Sequence, residues 1–329
     1  MSKIRLGIVG YGNVGRGVEY AISQNSDMEL VAIFTRREPN TINPMNKGVK
    51  VYKFEEAEKH VDSIDVMMLC GGSATDLMEQ APYFAARYNC IDSFDTHARI
   101  PEYFAAVNEN AKKSNKVSII STGWDPGLFS LLRVLGIACL PNGCDYTFWG
   151  KGISQGHSDA IRRVKGVKFA AQYTIPVDNA VAEVRKGNNP TLTTRQKHIR
   201  ECFVVAESNA DCNLIEQSIK TMPNYFSDYD TIVHFISEEE FQANHSKMPH
   251  GGFVFRTGTS GNENMHQHCM EFSLKLDSNP EFTANVMVAY ARAAHHLSLK
   301  GESGAKTVFD IPFGLLLPNS MEELRKMFL

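Results

Sequence analysis

No stretch of this sequence is apolar for the roughly 20 residues that a membrane helix needs. The most hydrophobic run, Gly127 to Leu140, is interrupted by Arg133. Cysteine is sparse: seven residues, an odd number, and no Cys-x-x-Cys. That usage fits free thiols in a reducing cytoplasm better than a disulfide framework. Charge of neither sign dominates, since 34 basic residues stand against 37 acidic ones. A net charge of −3 offers no basic surface for nucleic acid. Met1-Ser2-Lys3 leads straight into an apolar segment, so no signal or transit peptide is expected. There is no internal repeat or low-complexity tract. What is present, 329 residues of which 43% are hydrophobic, predicts a soluble globular chain of two domains.

The first of these domains announces itself at once. Ile4 to Val9 is an apolar strand running into Gly10-Tyr11-Gly12-Asn13-Val14-Gly15, a Gly-x-Gly-x-x-Gly turn that opens a helix. Gly10 permits the tight turn, Gly12 lets backbone approach a pyrophosphate, and Gly15 lets helix pack against strand. The helix start then turns free N–H groups and the positive end of its dipole toward the phosphates. In this strand–turn–helix context, dinucleotide binding outweighs a merely structural turn. The next strand, Met28 to Phe34, lacks the Asp or Glu that an NAD site places at its end. Thr35, Arg36 and Arg37 stand there instead. Guanidinium forks suit a 2′-phosphate, so these residues point to NADP; the plain alternative is a solvated loop.

Strands and helices go on alternating through the first third. Val49–Tyr52, Ile64–Cys70, Asn89–Ser93 and Val117–Ser121 read as strands, with helices from Asp76 to about Arg87 and from Pro101 to Lys113. This rhythm predicts an α/β fold with an N-terminal Rossmann-type, doubly wound parallel sheet over residues 1–122. After Gly123 the spacing changes to strand-like segments with β-branched and aromatic content. A C-terminal α+β domain over 123–289 is expected, with a mostly antiparallel sheet and helices on one face.

Ligands of open α/β sheets bind at the carboxyl ends of the strands. Cys70-Gly71-Gly72-Ser73-Ala74-Thr75 follows one strand, and its small side chains suit a cofactor passing beneath. Asp95 and Asp125 follow the next two strands. Each could be a helix cap, but two carboxylates at adjacent strand ends favour a site able to grip a substrate ammonium. In the second domain, Trp149 precedes a glycine-rich polar loop containing Gln155, Gly156 and His157. Trp149 alone would more often be core and Arg200 a solvated charge, while His250 lies in a turn where it could meet a carboxylate or simply be exposed. No metal centre is expected: His266 and His268 share a strand face without a third ligand.

Taken in order, Gly-Tyr-Gly-Asn-x-Gly, Phe-Thr-Arg-Arg, Gly-Ser-Ala-Thr-Asp, Ser-Thr-Gly-Trp-Asp-Pro-Gly, Thr-Phe-Trp-Gly, Ser-Gln-Gly-His-Ser-Asp-Ala and Met-Pro-His-Gly-Gly resemble the meso-diaminopimelate dehydrogenases. The resemblance runs nearly end to end and departs at Phe94 and Thr96, where members carry Tyr and Asn. It implies NADP-dependent, reversible oxidative deamination of the D-centre of meso-2,6-diaminopimelate, in lysine and diaminopimelate biosynthesis in the cytoplasm. It further implies that Asp95, Asp125 and Trp149 surround the reacting centre, with Gln155 and Gly156 lining the pocket. Thr174, Arg200, His250 and Asn279 would hold the distal L-amino-acid end. A homodimer is implied, its dimerisation element lying in the second domain, with the tail from about 290 to 329 returning to the first. The rival readings are a broader D-amino-acid dehydrogenase and a non-catalytic NADP-binding sensor.

Overall fold

The computed structural model describes residues 2–329. In chain order the elements are β1 (Ile4–Val9), α1 (Asn13–Ser23), β2 (Met28–Thr35), β3 (Lys50–Lys53), β4 (Val66–Leu69), α2 (Leu77–Ala85), β5 (Asn89–Asp92), α3 (Ile100–Lys113), β6 (Val117–Ile119) and α4 (Leu128–Cys139). There follow β7 (Gly143–Trp149), β8 (Gly152–Ile153), α5 (Gln155–Arg162), β9 (Val167–Pro176), α6 (Asp178–Arg185), α7 (Thr194–Lys197), β10 (His198–Ala206), α8 (Cys212–Lys220), β11 (Asp230–Phe235) and α9 (Glu238–Asn244). The chain ends with β12 (His250–Ser260), β13 (His266–Leu276), α10 (Asn279–Leu299), β14 (Gly304–Lys306) and α11 (Met321–Phe328). It divides into two compact units: one runs up to Leu131 and resumes over Pro280–Leu329, the other is Leu132–Asn279.

In the first unit the strands form one parallel sheet in the order β14-β6-β5-β4-β1-β2-β3. Strand order reverses beside β1, so the ends of β1 and β4 flank a crevice. The register decides what stands there. Phe34, Val9, Leu69 and Asp92 pair in one row across β2, β1, β4 and β5, so Thr35, the last residue of β2, stands at the same edge as Gly10, Cys70 and Ser93, which follow their strands. Both faces are covered, as the near-continuous apolar runs require. Ile4, Leu6 and Ile8 pack with α1 and with Ala284 to Leu297 of α10, while Val9, Met67 and Leu69 pack with α2 and α3.

The second unit departs from the single sheet expected of it. It has two: β11-β10-β9-β8 and β13-β12-β7. Pairing is mostly antiparallel, but β10 and β11 run parallel because α8 carries the chain back between them. Helices also lie on both faces of the four-stranded sheet. Ile161 of α5 and Ile215 and Ile219 of α8 cover Ala170, Cys202 and Val204, whereas Phe241 of α9 packs on Ala171 and Tyr173, which point the other way. A third correction concerns the glycine-rich segment after Trp149. It is the short strand β8 and then a helix, α5, whose first residues are Gln155 and Gly156 and whose N-cap is Ser154. Ser154 Oγ accepts from the His157 N–H, the usual device for starting a helix.

Candidate active site

Gly10 adopts φ +88°, and a Cβ on Gly15 would lie 2.2 Å from the Gly10 carbonyl oxygen, so the turn tolerates no side chain at either position. Above Gly12 the space is open, and α1 begins there with no side-chain cap and no acidic residue in its first turn. Its leading N–H groups, which include those of Asn13 and Val14, are therefore suited to an anion. Tyr11 contributes only main chain to the turn. Its ring is buried, and its hydroxyl donates to Glu19, whose carboxylate also accepts from the N–H groups of Met45 and Asn46.

The two arginines differ in their anchoring. Arg37 donates to the Tyr11 carbonyl (2.6 Å) and its own N–H is accepted by Thr35 Oγ1 (3.1 Å), folding it over the glycine turn. Arg36 is exposed and pairs with Asp76 at 2.6 Å. Asp76 also accepts from the Gly72 N–H (2.9 Å), tying the ends of β2 and β4 together. Partial burial works to raise its pKa, but the Gly72 N–H and the Arg36 guanidinium outweigh this and hold it below the usual carboxylate value. A cleft of about 260 Å³ is lined by Gly12, Arg37 and Arg16. Arg16, one residue beyond the glycine motif, was not singled out by sequence reasoning. With an open helix start and three guanidiniums near the end of β2, the residues present fit a phosphorylated dinucleotide.

Asp95 and Asp125 lie on neighbouring loops of the same unit. Neither occupies a helix N-cap: Thr96 holds that position before the short turn after Asp95, and α4 starts three residues beyond Asp125. Asp95 is exposed, and its N–H donates to Ser73 Oγ (3.1 Å) on the loop after β4. Asp125 is half-buried. Between their loops stands a carboxylate that sequence reasoning passed over. Asp92 is buried, and its Oδ1 accepts from the N–H groups of both Phe94 (2.9 Å) and Ser121 (3.0 Å).

In the second unit, pairing sets Gly152, Thr174, Arg200 and Thr231 in one row across β8, β9, β10 and β11. Arg200 is buried, donates to Thr174 Oγ1, and stacks its guanidinium 3.9 Å from the Tyr229 ring centroid. Among the described residues no carboxylate pairs with it, and its Nε is buried without a partner, as is Oε1 of Gln172. Burial alone pushes the guanidinium pKa down. The same burial, with Arg200 nearby, pushes His157 down to about 4 and His198 down to about 3. Both are neutral at pH 7, and His198 Nε2 accepts the Trp149 N–H (2.9 Å) while its ring stacks on the indole. His250 sits over Gly152, where a Cβ would lie 2.5 Å from the histidine Cα. Met248 completes the arrangement: its carbonyl accepts from the Asn279 N–H (2.9 Å) and its sulfur from Gln155 Nε2 (3.1 Å). The chain thus gathers Trp149, Gln155, Thr174, Arg200, His250 and Asn279 in one unit, and Asp95 and Asp125 in the other. Gly156 stands at the start of α5 with open space around it.

The parallel sheet, its switch point and the uncapped glycine turn define a dinucleotide-binding protein of the Rossmann class. Comparison with known proteins narrows this. A family model described as the diaminopimelic acid dehydrogenase C-terminal domain matches residues 123–278. Meso-diaminopimelate D-dehydrogenase of Ureibacillus thermosphaericus is 66% identical over 329 residues, all of both chains. Among solved structures, the C. glutamicum DAP dehydrogenase in complex with DAP matches with a TM-score of 0.92 and 45% identity, covering 100% of each chain. An engineered D-amino acid dehydrogenase bound to NADP+ matches with a TM-score of 0.87 and 44% identity, again covering 100% of both. The chain belongs to the meso-diaminopimelate D-dehydrogenase family.

Proposed function

We propose that this chain catalyses the reversible, NADP-dependent oxidative deamination of meso-2,6-diaminopimelate at its D-centre. The observation that carries the reading is Arg200: a buried guanidinium with no carboxylate partner among the described residues. Holding an unpaired cation out of water costs several kcal/mol, so such a residue is kept for an anion that arrives with the ligand. Arg200 and Thr174 take the distal carboxylate of the substrate, and His250, Gln155 and Asn279 complete the grip on the L-amino-acid end. That anchoring lets only the D-centre react, although both ends are α-amino acids.

At the reacting centre, Asp95 and Asp125 hold the amine, and one carboxylate receives the ammonium proton so that a neutral amine is presented. The α1 N-terminus, Arg16, Arg36 and Arg37 would hold NADP+, which would supply the hydride acceptor. Carbon–hydrogen cleavage leaves an iminium; water adds to it and ammonia departs, giving L-2-amino-6-oxopimelate, NADPH and a proton. The protein's share is alignment and charge. Its seven free cysteines are compatible with action in the cytoplasm. A second copy of the chain is the partner we propose, supported by Val134, Leu135 and Ile137, which α4 leaves about half exposed. The test is NADPH formation with meso-, LL- and DD-diaminopimelate and several D-amino acids side by side. The meso isomer should be strongly preferred; equal rates with D-alanine would refute the dicarboxylate assignment.

A further inference from the structure

Five hydrogen bonds converge on one residue that no catalytic role requires. Asp92 Oδ1 accepts from the Phe94 N–H at 2.9 Å and the Ser121 N–H at 3.0 Å. Its Oδ2 accepts from the Tyr103 hydroxyl at 2.7 Å, and its carbonyl oxygen accepts from both the N–H (2.8 Å) and Oγ1 (2.7 Å) of Thr122. Phe94 immediately precedes Asp95. Ser121 and Thr122 begin the loop that reaches Asp125, whose next fixed points are the carbonyls of Gly123 and Trp124, accepting from Leu128 and Phe129 of α4. Ser121 has φ +55°, unfavourable for a side chain by about 1–2 kcal/mol. Its hydroxyl is buried without a partner, and its N–H donates to Asp92. The Tyr103 ring in turn stacks on Phe94 with centroids 4.0 Å apart.

A carboxylate this deeply buried is an expensive way to join two strand ends, which apolar residues join elsewhere in the sheet. Its contacts instead run to the two loops and to the helix beneath them. We propose that Asp92 is a positioning residue that fixes the Asp95 and Asp125 loops relative to one another. The inference rests on the reading of those two aspartates given above. Reacting groups displaced by about 1 Å can lose roughly 100-fold in rate, so the effect belongs in kcat.

The test measures kcat, KM for meso-diaminopimelate, NADP affinity and melting temperature for Asp92→Ala, Asp92→Asn and Tyr103→Phe, beside Asp95→Ala and Asp125→Ala. Asp92→Ala should lower kcat by about 10- to 100-fold while KM and NADP affinity stay within about threefold. Asp92→Asn should restore most of the rate, because its amide oxygen accepts both N–H groups and its NH₂ donates to the Tyr103 oxygen. If Asp92→Ala does not fold, Tyr103→Phe, which keeps the stacked ring but frees Oδ2, should still lower kcat by about threefold or more. Unchanged kcat in Asp92→Ala, or in Tyr103→Phe where that alanine variant is unfolded, overturns the proposal. So does an Asp92→Asn rate as poor as that of alanine. Full turnover by Asp95→Ala and Asp125→Ala would instead end the underlying reading.

Discussion

A single arginine shows how far one side chain's surroundings can speak. Arg200 reads in the sequence as a charge at a strand start, where solvation is the ordinary fate. Its neighbours in the folded sheet reverse that reading, because alternation turns Arg200, Cys202 and Val204 to the face that α5 and α8 cover. Arg200→Ala should raise KM for meso-diaminopimelate by about 10- to 150-fold, the range expected for losing hydrogen bonds to a charged group. D-Alanine, which has no distal carboxylate, should be much less affected. Arg200→Lys should not rescue, since a point charge lacks the planar fork. Arg200→Met adds a second measurement. If the cation has no counter-ion before substrate arrives, removing it should leave the melting temperature unchanged or higher. A lower melting temperature with unchanged KM would make Arg200 a structural residue.

At the scale of elements, the cofactor strands were the most legible part of the chain. Continuous apolar runs ending in glycine, with helices between, allow little but a parallel sheet, and β1, β2, β4 and β5 lie where they were expected. Segments whose signal is weak or non-local were not legible. β8 is two residues long, and α5 is a helix of eight residues opened by glycine and polar side chains, so it resembled a loop. The parallel pairing of β10 with β11 is non-local, since it depends on α8 returning the chain between them. Asp92 was not legible either, because only the register of β4, β5 and β6 brings its carboxylate to both loops. The arginines test the β2 end directly. Arg36 reaches Asp76 from an exposed position and Arg37 is bound to the turn, so the two present guanidiniums from different supports. Replacing both with alanine should erase most of the preference for NADP over NAD, a loss of about 1.5–3 kcal/mol for each charge-assisted hydrogen bond removed. Comparison of the two cofactors' kcat/KM ratios reads this out, and an unaltered ratio would move the 2′-phosphate elsewhere.

Across the whole molecule, Asp92 and the two buried histidines His157 and His198 respond to pH in opposite directions. Asp92 in the first unit is pushed up by burial, against the pull of the Ser121, Phe94 and Tyr103 hydrogen bonds, to about 6 from an ordinary 3.8. The native state therefore binds the extra proton between those values, and this term loses stability as pH rises through them. His157 and His198 in the second unit behave in reverse. Unfolded, each takes a proton near 6.5; folded, burial and the Arg200 charge hold them neutral down to about 4 and about 3. Below pH 6.5 the unfolded chain gains protons that the native state refuses, so stability falls with acidification and returns as pH rises. For His198, only 2% exposed, the cost at pH 5 is about 2 kcal/mol, at 1.36 kcal/mol per pH unit. His198→Gln isolates this term, because the glutamine oxygen accepts the Trp149 N–H but takes up no proton. Melting curves of parent and variant at pH 7 and pH 5 should show a smaller fall for the variant. Equal falls would mean that acid destabilises the chain elsewhere, and that His198 is not held neutral by its surroundings.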